Sequence, residues 1–448
     1  MGAMKADVVV CGAGIAGVAT AYDLAVNRGV NKVVIVDPLA PLTLTSDKST
    51  ECYRNWWPNA PMVGLMNRSI DLLEEMAQAS GNAFNLTRQG YLFVTADPDR
   101  LNRMAIEGES ISRLGAGPLR RHPGPSGYRA NDDPFLHDGA DLFVEGDSLR
   151  RFFPFLTPAA VGGIHARRAG WFSAQQLGRW MIEQARQHGL EIVKAAVVGV
   201  SVNRDAVAAV RLDNGDEVAT PSFVNAAGPM LSRVAQMLGV EIPVYSEVHI
   251  KVAFRDHRRV IPRNSPMVIW SDPQALAWSE EEAKLLREEG REDLLETMPA
   301  ACHYRPEGGP DSDWVVALWE YHRLVREPTW PLPADPVYPE AVMKGLTTMV
   351  PGLGAYLEHL PQPVVDGGYY TKTRENRPLV GPLGAEGSFV VGAFSGFGVM
   401  AAAAAGELAA QYVTGSELPA YAKAFAPSRY EDADYLEEIH RITNTGQI

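Results

Sequence analysis

The sequence predicts an α/β protein of two domains. Three observations predict it: an apolar run near the start that breaks into spaced glycines and a helical pattern, an alternation of helical and strand-like segments across 173–225, and a length of 448 residues, more than one ordinary core accommodates.

The first element is "VVVCGAGIAG" at 8–17, a strand ending in Gly12-x-Gly14-x-x-Gly17. "VATAYDLAVNRG" follows with helical spacing, and "KVVIVD" reads as a second strand closing on Asp37. Strand, glycine turn, helix, strand and terminal acid together form a dinucleotide fingerprint. Gly12 permits the tight turn, Gly14 lets backbone approach a pyrophosphate, and Gly17 lets helix and strand pack closely. The helix N-terminus favours the phosphates through its free N–H groups and positive dipole end. Asp37 is expected to accept hydrogen bonds from ribose hydroxyls. A glycine-rich structural turn with Asp37 capping a strand is the alternative.

The next stretch, "TSDKSTECYRNWW" at 45–57, is neither alternating nor helical and reads as a loop of mixed chemistry, the kind that carries function. Proline-rich connections at 120–134 and 326–340 mark passages between domains or edges of insertions. "SAQQLGRWMIEQARQHG" at 173–189 has a serine cap, apolar spacing and a terminal glycine, so it predicts a helix. "EIVKAAVVGVSV", "AVAAVRL", the turn "DNG" and "EVATPSFVNAAG" predict strands and a hairpin. Ser279 and Glu282 form a capping-box pattern at the start of the charged segment 280–297, which reads as a solvated surface helix or, alternatively, as a lid or oligomer contact. Phe389 to Gly406 lacks charge for 18 positions, but its glycines and alanines parse it as strand, turn and buried helix rather than a membrane span.

A net charge of −13 argues against a nucleic-acid partner and against acidic membrane surfaces. Cys11, Cys52 and Cys302 cannot make a disulfide framework, and the ten histidines show no ligand spacing, so no metal is expected. No secretory signal precedes the first strand, which makes the cytoplasm the expected location.

With the opening fingerprint, "SFVNAAGPM" at 222–230, "GGYYTKTRENRPLVGP" at 367–382 and "FVVGAFSGFGVMAAAAAGELAA" at 389–410, the chain resembles the D-amino-acid-oxidase-like FAD flavoproteins, which include glycine oxidase, sarcosine oxidases and dimethylglycine dehydrogenases. The likeness spans nearly the whole chain, most loosely over 240–365. It implies a Rossmann-like FAD-binding domain (1–80, 145–235 and 365–448) interleaved with a substrate domain on an antiparallel sheet (81–144 and 236–364). FAD is then held by Gly12, Gly14, Ile15, Ala16, Gly17, Asp37 and Pro38; by Thr45, Ser46, Ser49 and Thr50; by Val197, Ala227 and Gly228; and by Gly368, Arg377, Gly396, Phe397, Gly398, Val399 and Met400. The glycines at 396 and 398 expose N–H groups at a helix start, which stabilises negative charge on a reduced flavin. An Ala/Gly segment chosen for tight helix packing explains Ala401 to Ala405 equally well.

The resemblance also places the 45–57 loop along the flavin ring. Arg54 falls on the family's carboxylate-binding arginine, for which a guanidinium fork is suited; an ion pair with Glu51 or another acid is the alternative. Glu51 falls beside the ring, Tyr370 lines the pocket, and Lys48 supplies positive charge or is an exposed loop lysine. Trp56 and Trp57 wall the pocket or pack the domain. Gly368 stands where monomeric sarcosine oxidases attach flavin to cysteine, and the Trp-His pair of dimethylglycine-dehydrogenase-like proteins is missing, so FAD is expected to be noncovalent. Met400 and Leu318 replace two family lysines, one for carboxylate binding and one for oxygen activation. The first change favours a secondary, tertiary or bulky amine, and the second weakens an oxidase reading.

The implied activity is oxidation of an amine or amino acid at its C–N bond, with hydride passing to flavin N5, hydrolysis of the imine, and reoxidation by oxygen or another acceptor. A hydroxy-acid dehydrogenase and a non-catalytic FAD-binding subunit of a larger complex are the alternatives. The oligomeric state stays open.

Overall fold

The computed structural model describes residues 4–124, 126–129, 134–321, 324–333, 335–442 and 445–446. The two proline-rich connections lie partly outside the described residues.

A six-stranded sheet organises the first domain, in the order Leu190–Lys194, Val33–Asp37, Val8–Cys11, Phe223–Asn225, Ser388–Gly392 and Leu379–Pro382. All neighbours are parallel except the last pair. Its central strands Val8–Cys11 and Val33–Asp37 are near-continuous runs of buried Val and Ile, as a parallel sheet covered on both faces requires. One face carries the helices Ile15–Tyr22, Ala174–Arg186 and Gly398–Thr414. The other carries a four-stranded sheet, where Val9, Val34, Val36 and Phe223 meet Val200, Val210 and Val218.

The expected elements form for the expected reasons. Ser173 caps the helix Ala174–Arg186 by accepting from the Gln176 N–H. Ala206–Leu212 pairs antiparallel with Glu217–Ala219 across the Asp213-Asn214-Gly215 turn. Ser279 and Glu282 complete a reciprocal capping box, but the helix runs only over Glu280–Glu288 and Lys344 anchors it through Glu282 at 3.1 Å. The uncharged stretch divides into the strand Ser388–Gly392 and the helix Gly398–Thr414, and no helix among the described residues is long and apolar enough to cross a membrane. The alanine block has a packing cause. A Cβ on Gly406 would lie 2.7 Å from the backbone of Ala19 and Thr20, so the two helices touch where only small residues fit.

The second domain is a ten-stranded, mainly antiparallel sheet. Two of its strands, Gly162–Ala166 and Val364–Lys372, come from ranges expected in the first domain. They cross that boundary because their partners are Tyr91–Thr95 and Tyr245–Arg255, and nine register pairs tie Val364–Lys372 to the latter. One sheet face packs Val248, Ile250, Val252 and Tyr304 against Tyr338, Leu346 and Met349. The opposite face presents Glu247, His249 and Lys251, three alternate residues of one strand, toward the first domain.

Candidate active site

The glycine fingerprint does three separable jobs. Gly12 has φ +111°, and a Cβ there would lie 2.4 Å from the Ala226 carbonyl. A Cβ on Gly17 would lie 2.0 Å from the Gly12 carbonyl. Gly14 meets only Ser46 Oγ, at 3.4 Å, and otherwise faces open space, so the pyrophosphate approach is geometrically free. Asp37 receives the Ala13 N–H at 2.7 Å on one carboxylate oxygen and the Leu39 N–H at 2.8 Å on the other. Each oxygen keeps acceptor capacity for a ribose hydroxyl.

From this turn a groove runs through the interdomain region. Its first section, about 310 Å³, is lined by Gly12, Asp37, Pro38, Val197, Ala227 and Arg233. The second, about 90 Å³, shares Gly14, Thr45, Ser46 and Gly228 with the first and continues past Ile15, Ala16, Ser49, Gly398 and Val399 to Tyr370 and Gly396. Tyr370 and Gly396 also line a third space of about 50 Å³, together with Thr50, Arg54, Phe397 and Met400. The glycine turn and Asp37 suit the pyrophosphate and ribose of an extended dinucleotide, and the third space adjoins the second section through Tyr370 and Gly396. Gly396 shows why the bend needs glycine: a Cβ would lie 2.5 Å from the Tyr370 ring.

Three expected cofactor residues do not line the groove. Gly17 packs under Gly12. Gly368 backs the loop, where its Cβ would meet Thr45 Cα at 3.3 Å. Arg377 is turned onto the C-terminal helix Ala433–Arg441, donating to Glu438 at 3.1 Å and standing over the Tyr435 ring, so it is a bridge between elements.

The expected substrate residues also separate. Arg54, in the strand Cys52–Arg54, is buried and lines the third space. Among the described residues it pairs with neither Glu51 nor another acid: its guanidinium donates to the Trp56 carbonyl and, at 2.5 Å, to the Gly446 carbonyl, and it stacks on Trp57 at 4.2 Å. Burial pushes it down to about 10, still a cation at neutral pH. Glu51 is instead a brace, accepting the Ala174 N–H at 2.7 Å and facing Arg305 at 3.6 Å. Burial raises its carboxyl, against the pull of Arg305. Lys48 pairs with Asp47 and Asp366 at 2.7 and 3.0 Å rather than reaching the groove. Tyr370 stacks on His249 with ring centroids 3.8 Å apart. Trp57 lines the third space and meets Phe397 edge-on at 5.0 Å, whereas Trp56 faces a neighbouring hollow.

Several residues of the site carry no motif. Glu320, His303, Tyr91 and Met267 line the third space. Lys251 stands in register with Leu318 and donates to the Ser49 carbonyl at 2.8 Å, fixing the loop. Strand alternation hinted at Glu320, two residues past Leu318, but nothing local placed Lys251 against residue 49. The three cysteines are free and buried, and no cluster suited to a metal occurs among the described residues.

A family model described as FAD dependent oxidoreductase matches residues 7–412. No curated protein matches the chain. Among solved structures, an L-proline dehydrogenase from P. horikoshii is similar at 20% identity and a TM-score of 0.74, over 96% of this chain and 98% of that one. Glycine oxidase from Bacillus cereus is similar at 16% identity and 0.69, over 92% and 95%. Iminodiacetate oxidase from Chelativorans is similar at 17% identity and 0.69, over 94% and 98%. These likenesses carry the fold.

Proposed function

The chain belongs to the FAD-dependent oxidoreductase family, and from that premise we propose that it oxidises an amine or amino acid at the carbon bearing the nitrogen. The observation that carries this reading is the third space, which continues the FAD groove past Tyr370 and Gly396 and holds a buried cation, Arg54. FAD, when bound, supplies the two-electron oxidation.

The chain's own residues bind and orient. Arg54 takes a substrate carboxylate, which replaces the Gly446 carbonyl now on the guanidinium. Met400 and Leu318 leave the wall apolar where a second cation is absent, so Arg54 alone carries acid recognition. Tyr370, Phe397 and Trp57 exclude water from the reacting carbon. The N-terminus of the helix Gly398–Thr414 faces the flavin end of the groove, where its dipole favours negative charge. The residues toward FAD bind without a covalent link, because Gly368 carries no side chain. The protein acts in the cytoplasm, with oxygen or another acceptor taking the electrons.

Anaerobic mixing of the holoenzyme with amines, amino acids and hydroxy acids tests this. Bleaching of the flavin by amines or amino acids is the expected result. Bleaching by hydroxy acids alone overturns it in favour of C–O oxidation, and no bleaching by any of them points to a non-catalytic subunit.

A further inference from the structure

The third space is small. At about 50 Å³ it has room for about four water-sized groups, enough for a reacting carbon with its nitrogen and acid but not for a bulky substituent. Beside it lies a larger hollow of about 230 Å³, and Arg54 and Gly446 line both.

Two elements of the second domain build this hollow. Its floor is a row across the ten-stranded sheet: Phe93 stands in register with Ile164 on one side and with Ile269 on the other, so the three side chains share one face. Ile164 and Ile269 are buried, and Phe93 is half-buried. Its roof is the helix Pro98–Ile111, where Arg100, Met104, Glu107 and Ile111 recur at helical spacing along the lining face. Asp97 caps that helix by accepting from the Asp99 N–H, which fixes the face over the sheet. Arg100 and Glu107 pair with each other at 3.5 Å, so the two charges of the roof offset one another. Trp56, Trp270 and Ala300 complete the wall.

A wall of two isoleucines, a phenylalanine and two tryptophans gains free energy from an apolar occupant, because apolar surface leaves water on both sides of the contact. The guanidinium of Arg54 borders both spaces, so an acid held there has its reacting carbon in the small one and the rest of the molecule beside the large one. We propose that this hollow is the substituent pocket of the site, taking an aryl or branched alkyl group of an amino acid whose carboxylate Arg54 holds, with Phe93, Met104 and Ile269 as specificity-determining residues. The inference rests on the proposed function and narrows its substrate to amino acids that carry a bulky apolar group, on the side chain or on the nitrogen.

The test uses the holoenzyme, and its first arm needs no turnover. Propanoate, 4-methylpentanoate, 3-phenylpropanoate and 4-phenylbutanoate are titrated against the flavin absorbance. The second arm follows anaerobic flavin reduction by both enantiomers of alanine, leucine and phenylalanine, and by N-methylglycine and N-benzylglycine. Large members should bind about 10- to 100-fold tighter than small ones, the value of burying such a group. A preference for 3-phenylpropanoate and phenylalanine supports the inference with the group on the side chain, and one for 4-phenylbutanoate and N-benzylglycine supports it with the group on the nitrogen. Ala300→Phe, in the half-buried wall, and Met104→Phe, on the helix face, each fill part of the hollow. Both should remove most of the preference while the small members keep their dissociation constants, and the second variant serves if the first loses FAD. Equal constants for large and small acids in the wild type, or variants that shift both alike, overturn the inference. If the acids show the preference and lose it in the variants but no amine reduces the flavin, the proposed function falls and the hollow stands as a subsite for another class of acid.

Discussion

At the scale of the residue, the glycine fingerprint separates folding from cofactor binding. Gly12→Ala forces a side chain into the left-handed region and against the Ala226 carbonyl at 2.4 Å, so it should destabilise the protein by about 1–3 kcal/mol, read as a lower midpoint of denaturant unfolding. Gly14→Val meets nothing closer than Ser46 Oγ, so the apoprotein should keep its stability while the purified protein loses FAD. Equal flavin content in wild type and Gly14→Val would refute the pyrophosphate assignment. Arg54 permits a sharper prediction. Arg54→Ala should cost about 2–4 kcal/mol in kcat/KM for an acid substrate and much less for its amide, because only the acid uses the charged fork. Arg54→Lys keeps the charge but loses the fork, and should fall between the two. An acid-to-amide ratio of kcat/KM that is the same in wild type and Arg54→Ala would reduce Arg54 to a packing role against Trp57.

At the scale of the element, the 45–57 loop shows how tertiary partners reassign residues that the sequence groups together. Of its four charged side chains, Arg54 alone lines the third space, while Glu51 braces the start of the helix Ala174–Arg186 and Lys48 pairs with Asp47 and Asp366. The chain conformation sets this division: Glu51 has φ +60°, and the following strand pairs with Ala169–Trp171. The buried array of Glu247, His249 and Lys372 predicts a pH effect. Burial disfavours the Glu247 carboxylate, but His249 and Lys372 outweigh it and hold it down at about 2. A carboxylate held low in the folded state adds stability that is present above its unfolded value of about 4.3 and lost as pH falls toward 2, at most about 3 kcal/mol. His249 is raised, so its contribution is present below about 6.5 and lost as pH rises through its folded value. Glu247→Gln should therefore flatten the loss of stability on acidification below pH 4.3, as measured by denaturant unfolding across that range. An unchanged pH profile would show that other carboxylates govern acid unfolding.

At the scale of the whole molecule, the proposed FAD groove runs between two sheets whose strands are exchanged in sequence, so FAD binding should stabilise both together. Acid precipitation should leave a colourless pellet and a yellow supernatant, since Gly368 offers no attachment atom; flavin retained in the washed pellet would contradict this. Refilling the apoprotein with FAD at 100 times its dissociation constant should add about 2.7 kcal/mol, read as a raised Tm with one transition. The sequence by itself determined the local elements of the dinucleotide-binding part: fingerprint, Asp37, hairpin and the helix Gly398–Thr414 are local patterns, because glycine conformation, strand alternation and helix caps are set by neighbours in the chain. Family likeness also singled out Arg54, Tyr370 and Met400, which line the third space. What only the tertiary structure decided is the company those residues keep. Arg377 goes to Glu438, Glu51 to Ala174, and Glu320 to His249, contacts spanning 61, 123 and 71 positions. Each is made because elements far apart in the chain pack side by side, and a side chain's charge has no assigned partner until that packing exists.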